Sequence, residues 1–300
     1  MAERSFDTVR QGGSFFEGPR WHEGAWWASD FYRHTVSRIA PGSPETVVLE
    51  VENQPSGLGW LPDGDLLVVS MRDQRLLRVA SDGAVSTHAD LSSVCGGPLN
   101  DMVVDASGRA FVGDFGFDLM GGGAPAAASL KRVDPDGTVS VAAEGLVFPN
   151  GSVITPDGGT LIVGETWGNR FTVFDIAADG SLTNRRAWAQ FGPEPQGGST
   201  EELIGQVVVA PDGCTLDAEG HVWVADGLHA RVLRVAEGGA IVDEIAAPDG
   251  MGVYACALGG DDGRTLLLCC APDFHEHTRA PAREAVLVST RVDVPHAGLP

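Results

Sequence analysis

The stretch LDAEGHVWVAD (216–226) joins an apolar approach, a polar turn ending in glycine and a short apolar strand. Five other stretches repeat that order: WHEGAWWASD (21–30), LPDGDLLVVS (61–70), VDASGRAFVGD (104–114), TPDGGTLIVGE (155–165) and LGGDDGRTLLLCC (258–270). Their turn glycines are Gly24, Gly64, Gly108, Gly158, Gly220 and Gly263, at successive spacings of 40, 44, 50, 62 and 43 residues. Self-similarity at this period indicates a repeat architecture with six units.

A second hairpin follows each of the first five repeats, as in QRLLRVASDGAVSTHAD from residue 74. Apolar and polar residues alternate on both sides of its turn, which is typical of antiparallel strands. Four strands in each of six units predict an all-β fold, a six-bladed β-propeller, spanning residues 1–300 as a single domain. The sixth unit lacks one strand, and the N-terminal SFDTVR can supply it, closing the ring and removing an open edge. The alternative all-β fold is a sandwich.

Composition narrows the classes of partner. The chain has 300 residues, of which 43% are hydrophobic, and carries 20 Lys and Arg against 41 Asp and Glu, for a formal net charge of −21. That charge argues against nucleic acid and anionic membranes as partners. We expect a small-molecule substrate, and the oligomeric state stays open. No apolar segment has the length of a transmembrane helix or signal peptide, and the five cysteines are an odd number, so we expect a reduced, cytoplasmic protein.

The residues at the start of each inner strand carry the candidate chemistry. Eight positions before the turn glycine stand Ser56, Asn100, Asn150 and Asp212, and the shorter first unit places Glu17 there. The second strands end on the same face, and their last residues are expected to form a further ring at the channel mouth: Asp30, Ser70, Asp114, Glu165, Asp226 and, in the sixth unit, Cys270. Oxygen ligands without His or Cys suit a hard divalent cation at the mouth of the central channel. Asn-Gly and Asp-Gly are also common turn formers, which is the simpler explanation of any one of them.

Four segments resemble the gluconolactonase, senescence-marker-protein (regucalcin) and luciferin-regenerating-enzyme-like family. They are EGPRW (17–21), NDMVVDASGRAFVGD (100–114), FPNGSVITPDGGTLIV (148–163) and PDGCTLDAEGHVWVAD (211–226). The resemblance implies a six-bladed propeller with one divalent metal ion in the channel mouth, Ca²⁺ first and Zn²⁺, Mn²⁺ or Mg²⁺ as alternatives. By motif, Glu17, Asn150 and Asp212 look like the three ligands of the metal. Asn100 looks like the fourth polar residue, facing metal or substrate.

Two departures from the family pattern concern the substrate. Sugar lactonases of this family usually carry Arg in an R-x-N-D motif, where this chain has Pro98 in GGPLND. We therefore expect an apolar wall beside Asn100, continuous with Leu99, Phe115 and Phe117. The loop FGFDLMGGGAPAAA (115–128) replaces a polar substrate loop, and we interpret it as a mobile, partly apolar lid. Within it, the resemblance implies that Asp118 stands where those enzymes place a substrate-contacting Glu.

Several aromatic and histidine side chains fall beside the mouth residues. Phe115, Phe117, Phe148 and Trp167 are expected either to form an apolar pocket wall or to pack inside the propeller. His275 and His277, in PDFHEHTR, fall on the same face as polar rim residues, and one of them is a candidate proton shuttle. The expected substrate-binding residues are Asn100, Asp118, Phe115, Phe117, Trp167 and His275.

These observations predict a metal-dependent hydrolase that opens a lactone or related cyclic ester less polar than a sugar lactone. Asp212 is the first candidate for the base that takes the proton of the attacking water, and Asp101 is the second. Two alternatives keep the metal site: a different reaction, such as organophosphate hydrolysis, hydration or isomerisation, or a non-catalytic metal-binding propeller.

Overall fold

The computed structural model describes residues 4–119 and 121–298, which form six four-stranded antiparallel sheets and two short helices. In chain order the elements are β1 (Asp7–Gly13), β2 (Phe16–His22), β3 (Ala25–Asp30), β4 (Thr35–Ile39), β5 (Thr46–Glu50), β6 (Pro55–Trp60), β7 (Leu66–Ser70), β8 (Arg75–Val79), β9 (Val85–Asp90), β10 (Leu99–Val104), β11 (Ala110–Asp114), β12 (Ala128–Val133), β13 (Val139–Leu146), β14 (Pro149–Ile154), β15 (Thr160–Glu165), β16 (Arg170–Ile176), β17 (Leu182–Gln190), α1 (Thr200–Ile204), β18 (Pro211–Leu216), β19 (Val222–Asp226), β20 (Arg231–Val235), β21 (Ile241–Ala246), β22 (Gly252–Gly259), β23 (Thr265–Ala271), α2 (Glu276–Arg279) and β24 (Ala285–Arg291). Among the described residues, neither helix is long and apolar enough to cross a bilayer.

The predicted six-bladed propeller and its closure are confirmed. Five sheets each contain four consecutive strands, from β2–β5 through β18–β21. The sixth has the order β1-β24-β23-β22, so the N-terminal strand pairs with the last strand of the chain. The innermost strands β2, β6, β10, β14, β18 and β22 contact one another in succession around the channel. Closure in this way covers the edge that β24 would otherwise expose and gives the last blade four strands like the others.

The repeated turn explains why each blade begins with a hairpin. All six turn glycines have a positive φ, between 70° and 91°, which side chains with a Cβ adopt only at a cost. Apolar residues of the second strands then pack between blades, where Leu67, Phe111 and Trp223 are almost fully buried. The fold therefore follows from local turn chemistry combined with an apolar strand of fixed length.

The acidic residues that end the second strands hold the blades together and do not line the channel mouth. The Asp30 carboxylate accepts hydrogen bonds from the backbone N–H groups of Ser14 and Phe15, which lead into β2. Asp114, Glu165 and Asp226 accept the equivalent bonds from Gly96, Val147 and Ala210. The expectation that this ring faces the channel was wrong, because these side chains are used to fasten each inner strand.

Candidate active site

A β-bulge re-aims the start of every innermost strand. The pairing between the first and second strands of each blade shifts at the same place, as between Pro149 and Ser152 or between Pro211 and Cys214. Asn150 and Asp212 lie inside these two shifts and line the cavity at the channel mouth. Bulges of this kind turn a side chain out of the sheet direction and are frequent beside active sites.

Small residues behind the bulged positions let the inner strands converge. A Cβ on Gly151 would lie 2.3 Å from the backbone oxygen of Asp212, and one on Gly18 would lie 2.7 Å from that of Ser56. Because such distances leave no room for a side chain, glycine is required at these crossings. The convergence brings the predicted ligands Glu17, Asn150 and Asp212 to one cavity floor, together with Asn100.

Hydrogen bonds fix the orientation of Asn150. Its Nδ2 donates to Thr166 Oγ1 at 3.1 Å and to Asp212 Oδ1 at 2.6 Å. The Thr166 hydroxyl donates its own hydrogen to Pro211 O at 2.8 Å, so Oγ1 serves as the acceptor for Asn150. Both amide hydrogens are thereby used, and Asn150 Oδ1 is left as an oxygen available to a cation.

The floor concentrates negative charge in a buried place. Burial raises the pKa of Glu17 well above its usual value, and the carboxylates of Asp212 and Asp101 raise it further. Burial likewise raises the pKa of Asp212, against the hydrogen bond from Asn150, which lowers it. Two like charges in a low-dielectric site are costly unless a cation lies between them.

The donor set fits a hard divalent cation. It consists of two carboxylates and two carboxamides, with no nitrogen or sulfur ligand. Within the described residues no three His, Cys, Asp or Glu side chains are grouped to hold a metal, so the oxygens of Asn100 and Asn150 would have to complete the set.

Asp101, the second candidate base, forms a buried ion pair with Arg20. Its Oδ1 accepts from the guanidinium of Arg20 at 2.8 Å and from the backbone N–H of Met102, and both side chains of the ion pair are 7% exposed. Arg20 lines a different cavity, at the opposite side of the inner strands, and Asp101 does not line the cavity that holds Glu17 and Asp212. The geometry therefore favours Asp212 as the base.

Aromatic side chains form most of the cavity above this floor. The cavity has a volume of about 130 Å³. Its lining residues are Phe15, Glu17, Phe31, Tyr32, Asn100, Phe115, Leu119, Phe148, Asn150, Thr166, Trp167, Thr200, Ile204, Asp212, Gly227, Leu228, Tyr254 and Phe274. Among these described residues there is neither Lys nor Arg. The floor is thus the acidic, oxygen-rich end of an otherwise apolar chamber.

The aromatic residues expected near the mouth divide into two groups. Phe115 and Trp167 line the cavity, whereas Phe117 lies behind Trp167 at a centroid distance of 5.6 Å. Leu99 is completely buried and supports the wall from behind. The apolar surface expected beside Asn100 is present, but only part of the expected set reaches the cavity itself.

The GGPLND segment accommodates the loop at 115–128. A Cβ on Gly97 would lie 2.3 Å from the backbone oxygen of Phe117, and one on Gly96 would lie 2.5 Å from that of Gly116. The backbone of the loop therefore packs directly on the two glycines that precede Pro98. Leu119 extends from this loop into the cavity, and Met120 lies outside the described residues.

Asp118 and His275 do not line the cavity. Asp118 is exposed, and its carboxylate accepts from the backbone N–H of Gly121 at 2.8 Å, which closes a turn inside the loop. His275 is exposed at the N-terminus of α2, with its ring 4.5 Å from that of Phe274, which does line the cavity. His277 is exposed as well. Their predicted substrate contacts have no support in this geometry.

Several residues that line the cavity were not predicted from the sequence. Thr200 and Ile204 lie on α1, whose Ser199 and Glu202 form a capping box. That S-x-x-E signature and the longest spacing between turn glycines, 62 residues, both mark the insertion that carries α1. Tyr254 occupies the bulge of the sixth blade, where the oxygen-ligand pattern breaks.

Comparisons with known proteins bear on the family and the fold. The family profile described as "SMP-30/Gluconolactonase/LRE-like region" matches residues 15–271. The pentonolactonase XacC of Haloferax volcanii is 29% identical over 266 residues, covering 85% of this chain and 81% of that protein. A 6-deoxy-6-sulfogluconolactonase of Pseudomonas putida is 25% identical, covering 98% and 96%.

Among solved structures, a calcium-binding protein, regucalcin, from Agrobacterium tumefaciens superposes with a TM-score of 0.79 at 21% identity, covering 100% of this chain and 99% of that one. A luciferin-regenerating enzyme gives a TM-score of 0.77 at 19% identity, covering 98% and 97%. At these identities the structural neighbours show the fold, whereas the profile match spans most of the sequence. The chain belongs to the SMP-30/gluconolactonase/LRE-like family.

Proposed function

We propose that this protein is a metal-dependent hydrolase that opens a lactone less polar than a sugar lactone, with one divalent cation, Ca²⁺ first among the candidates. The observation that carries the proposal is the floor of two carboxylates and two carboxamides at the end of an aromatic cavity. The lactonase relatives support an ester-hydrolysing activity, and the regucalcin neighbour supports calcium.

In the proposed mechanism, Glu17, Asn150 and Asp212 hold the cation and Asn100 faces the same space. A divalent cation there would polarise the lactone carbonyl and lower the pKa of a water molecule. Asp212 Oδ1 is held by Asn150, and its other oxygen lies where a Cβ on Gly227 would approach to 2.7 Å. To that oxygen we assign the proton of the attacking water.

The walls exclude water from the reacting centre and select the substrate. With no guanidinium or ammonium among the described lining residues, the cavity offers no fixed, forked donor for the oxygens of a sugar.

The five cysteines are all unpaired, which suits the cytoplasmic location that we propose.

Substrate preference is the first test. We expect kcat/KM for an alkyl- or aryl-substituted lactone to exceed that for gluconolactone by tens- to hundreds-fold, because one methylene of apolar contact contributes about 1–3 kcal/mol. The measurement is a panel of sugar, alkyl and aryl lactones with added Ca²⁺, Mn²⁺, Zn²⁺ or Mg²⁺. A clear preference for the sugar lactone would refute the apolar assignment, and no hydrolysis of any lactone would refute the lactonase proposal. Activity that persists in excess chelator would refute the proposed dependence on a metal ion.

Thr166 gives a second test, directed at the cation. Thr166→Val removes the hydroxyl that accepts from Asn150, so the amide loses one of its two anchors. We expect cation affinity to fall about tenfold, in line with the 10–100-fold losses seen when an outer partner of a metal ligand is removed. Thr166→Ser, which keeps the hydroxyl, should retain the affinity. Calorimetric titration of the purified variants with Ca²⁺ measures both, and equal affinities for Val and Ser would remove Thr166 from the proposal.

A further inference from the structure

The aromatic lining of the cavity contains an ordered stack. Phe115 and Phe148 have ring centroids 4.5 Å apart at an interplanar angle of 27°, and Phe148 and Trp167 are 5.0 Å apart at 19°. We call these three residues the stacked wall. Phe15 and Tyr254 belong to a second cluster, with centroids 4.7 Å apart and rings tilted by 48°.

The stack determines which part of Phe148 a substrate can meet. Both faces of its ring are covered, one by Phe115 and the other by Trp167. Since Phe148 nevertheless lines the cavity, it presents the edge of its ring. Ring edges carry partial positive charge and pair with the negative face of another aromatic ring, whereas a cation is attracted to an open face.

The backbone holds Phe148 in this place against a conformational preference. Its φ is 57°, in the left-handed region that a bulky residue rarely adopts. The neighbouring strand keeps it there, because the N–H of Thr166 donates to Phe148 O at 3.0 Å. Gln54 has the same arrangement in the second blade, with a φ of 72° and an oxygen that accepts from the Met71 N–H at 2.9 Å, so the blade architecture itself fixes Phe148 in this place.

Of the four hydroxyl groups that line the cavity, two are turned away from a substrate, and those of Thr200 and Tyr254 are not among them. Tyr32 donates to the backbone oxygen of Phe274 at 2.8 Å, and Thr166 donates to Pro211 O. Neither hydroxyl therefore has a hydrogen left for a sugar oxygen. The part of the substrate beyond the lactone therefore meets mainly ring edges and apolar side chains, with the hydroxyls of Thr200 and Tyr254 as the remaining polar groups of the wall.

We propose that the substrate is a neutral lactone carrying one aromatic ring, whose face packs on the edge of Phe148 while the lactone carbonyl lies over the floor. The proposal rests on the proposed hydrolase function and narrows it. In the reaction the acyl C–O bond breaks, the hydroxyl of water joins the carbonyl carbon, and its proton goes to the departing ring oxygen. The products are a carboxylate and an alcohol joined in one molecule, after the carboxylic acid loses its proton.

The experiment compares two substrates of similar size, a phenyl-substituted and a cyclohexyl-substituted γ-butyrolactone. We expect wild-type kcat/KM to favour the phenyl compound about tenfold, the increment of one or two edge-to-face pairs. Phe148→Leu should bring the ratio close to one, and Trp167→Leu, which uncovers the Phe148 ring, should reduce it. Phe174→Leu, a control in the same blade buried away from the cavity, should leave the ratio unchanged.

A binding measurement separates this proposal from the hydrolase proposal. The probes are the phenyl- and cyclohexyl-substituted pyrrolidinones, lactams that resist hydrolysis, titrated against wild type and Phe148→Leu by calorimetry. Tighter binding of the phenyl lactam, lost in Phe148→Leu, supports the aromatic site even if no lactone is hydrolysed. Hydrolysis of both lactones at equal kcat/KM, or equal binding of both lactams, overturns the aromatic proposal and leaves the hydrolase standing. If neither lactone is hydrolysed and neither lactam binds, both the aromatic proposal and the hydrolase proposal are overturned.

Discussion

Asp212→Ala is expected to lower kcat/KM by at least about 10³-fold. The substitution removes a carboxylate ligand of the proposed cation and the candidate base together, and positioned general bases alone contribute roughly 10²–10⁴-fold. It also leaves Asn150 without the acceptor that receives its Nδ2 at 2.6 Å. Steady-state kinetics on a substituted lactone, with calorimetric titration of Ca²⁺, measures both losses.

Glu17→Gln is the matched comparison for Asp212→Ala. It keeps the shape and one oxygen ligand at the same floor but removes a charge, so it should chiefly weaken cation affinity, and excess cation should partly restore activity. Asp212→Ala should not be rescued in this way, since the base is lost. Full chelator-sensitive activity in both variants would show that the cation site is wrongly placed.

The fold could be predicted because its determinants are local. A glycine turn followed by an apolar strand recurs six times, and each recurrence specifies the same hairpin regardless of its neighbours. The four floor residues could be predicted for a related reason. Asn100, Asn150 and Asp212 stand eight residues before their turn glycines and Glu17 stands seven before its own, which places them at a similar height in their blades. The bulges then aim Asn150 and Asp212 at the axis.

The cavity walls depend on loops whose length and course differ from blade to blade. Ile204 reaches the cavity from an inserted helix that no other blade has, and Tyr254 occupies the bulge position of the sixth blade with an aromatic side chain in place of an oxygen ligand. Asp118 and Asp101, in contrast, were predicted as site residues but do not line the cavity. Both are carboxylates that the sequence places near residues of the channel mouth. In the structure, however, Asp118 closes a turn within its loop and Asp101 forms an ion pair with Arg20.

The ion pair of Arg20 and Asp101 provides the last prediction, which concerns stability. Arg20→Met alone should lower the free energy of unfolding by about 3–5 kcal/mol, because it leaves the Asp101 carboxylate buried without its partner. The double variant Arg20→Met/Asp101→Leu should recover most of that loss, since an apolar pair of similar size avoids the cost of burying two charges. Urea denaturation of the single and double variants, monitored by tryptophan fluorescence, gives both values.

The same double variant decides which carboxylate is the base. Asp101 does not line the cavity, and replacing the pair removes one negative and one positive charge, so the charge balance beneath Glu17 and Asp212 is kept. We therefore expect kcat/KM to stay within about tenfold of wild type, far from the loss expected for a missing general base. If the folded double variant binds Ca²⁺ normally yet loses activity by 10³-fold or more, Asp101 rather than Asp212 takes the proton of water. Its pairing with Arg20 would then have to open during turnover.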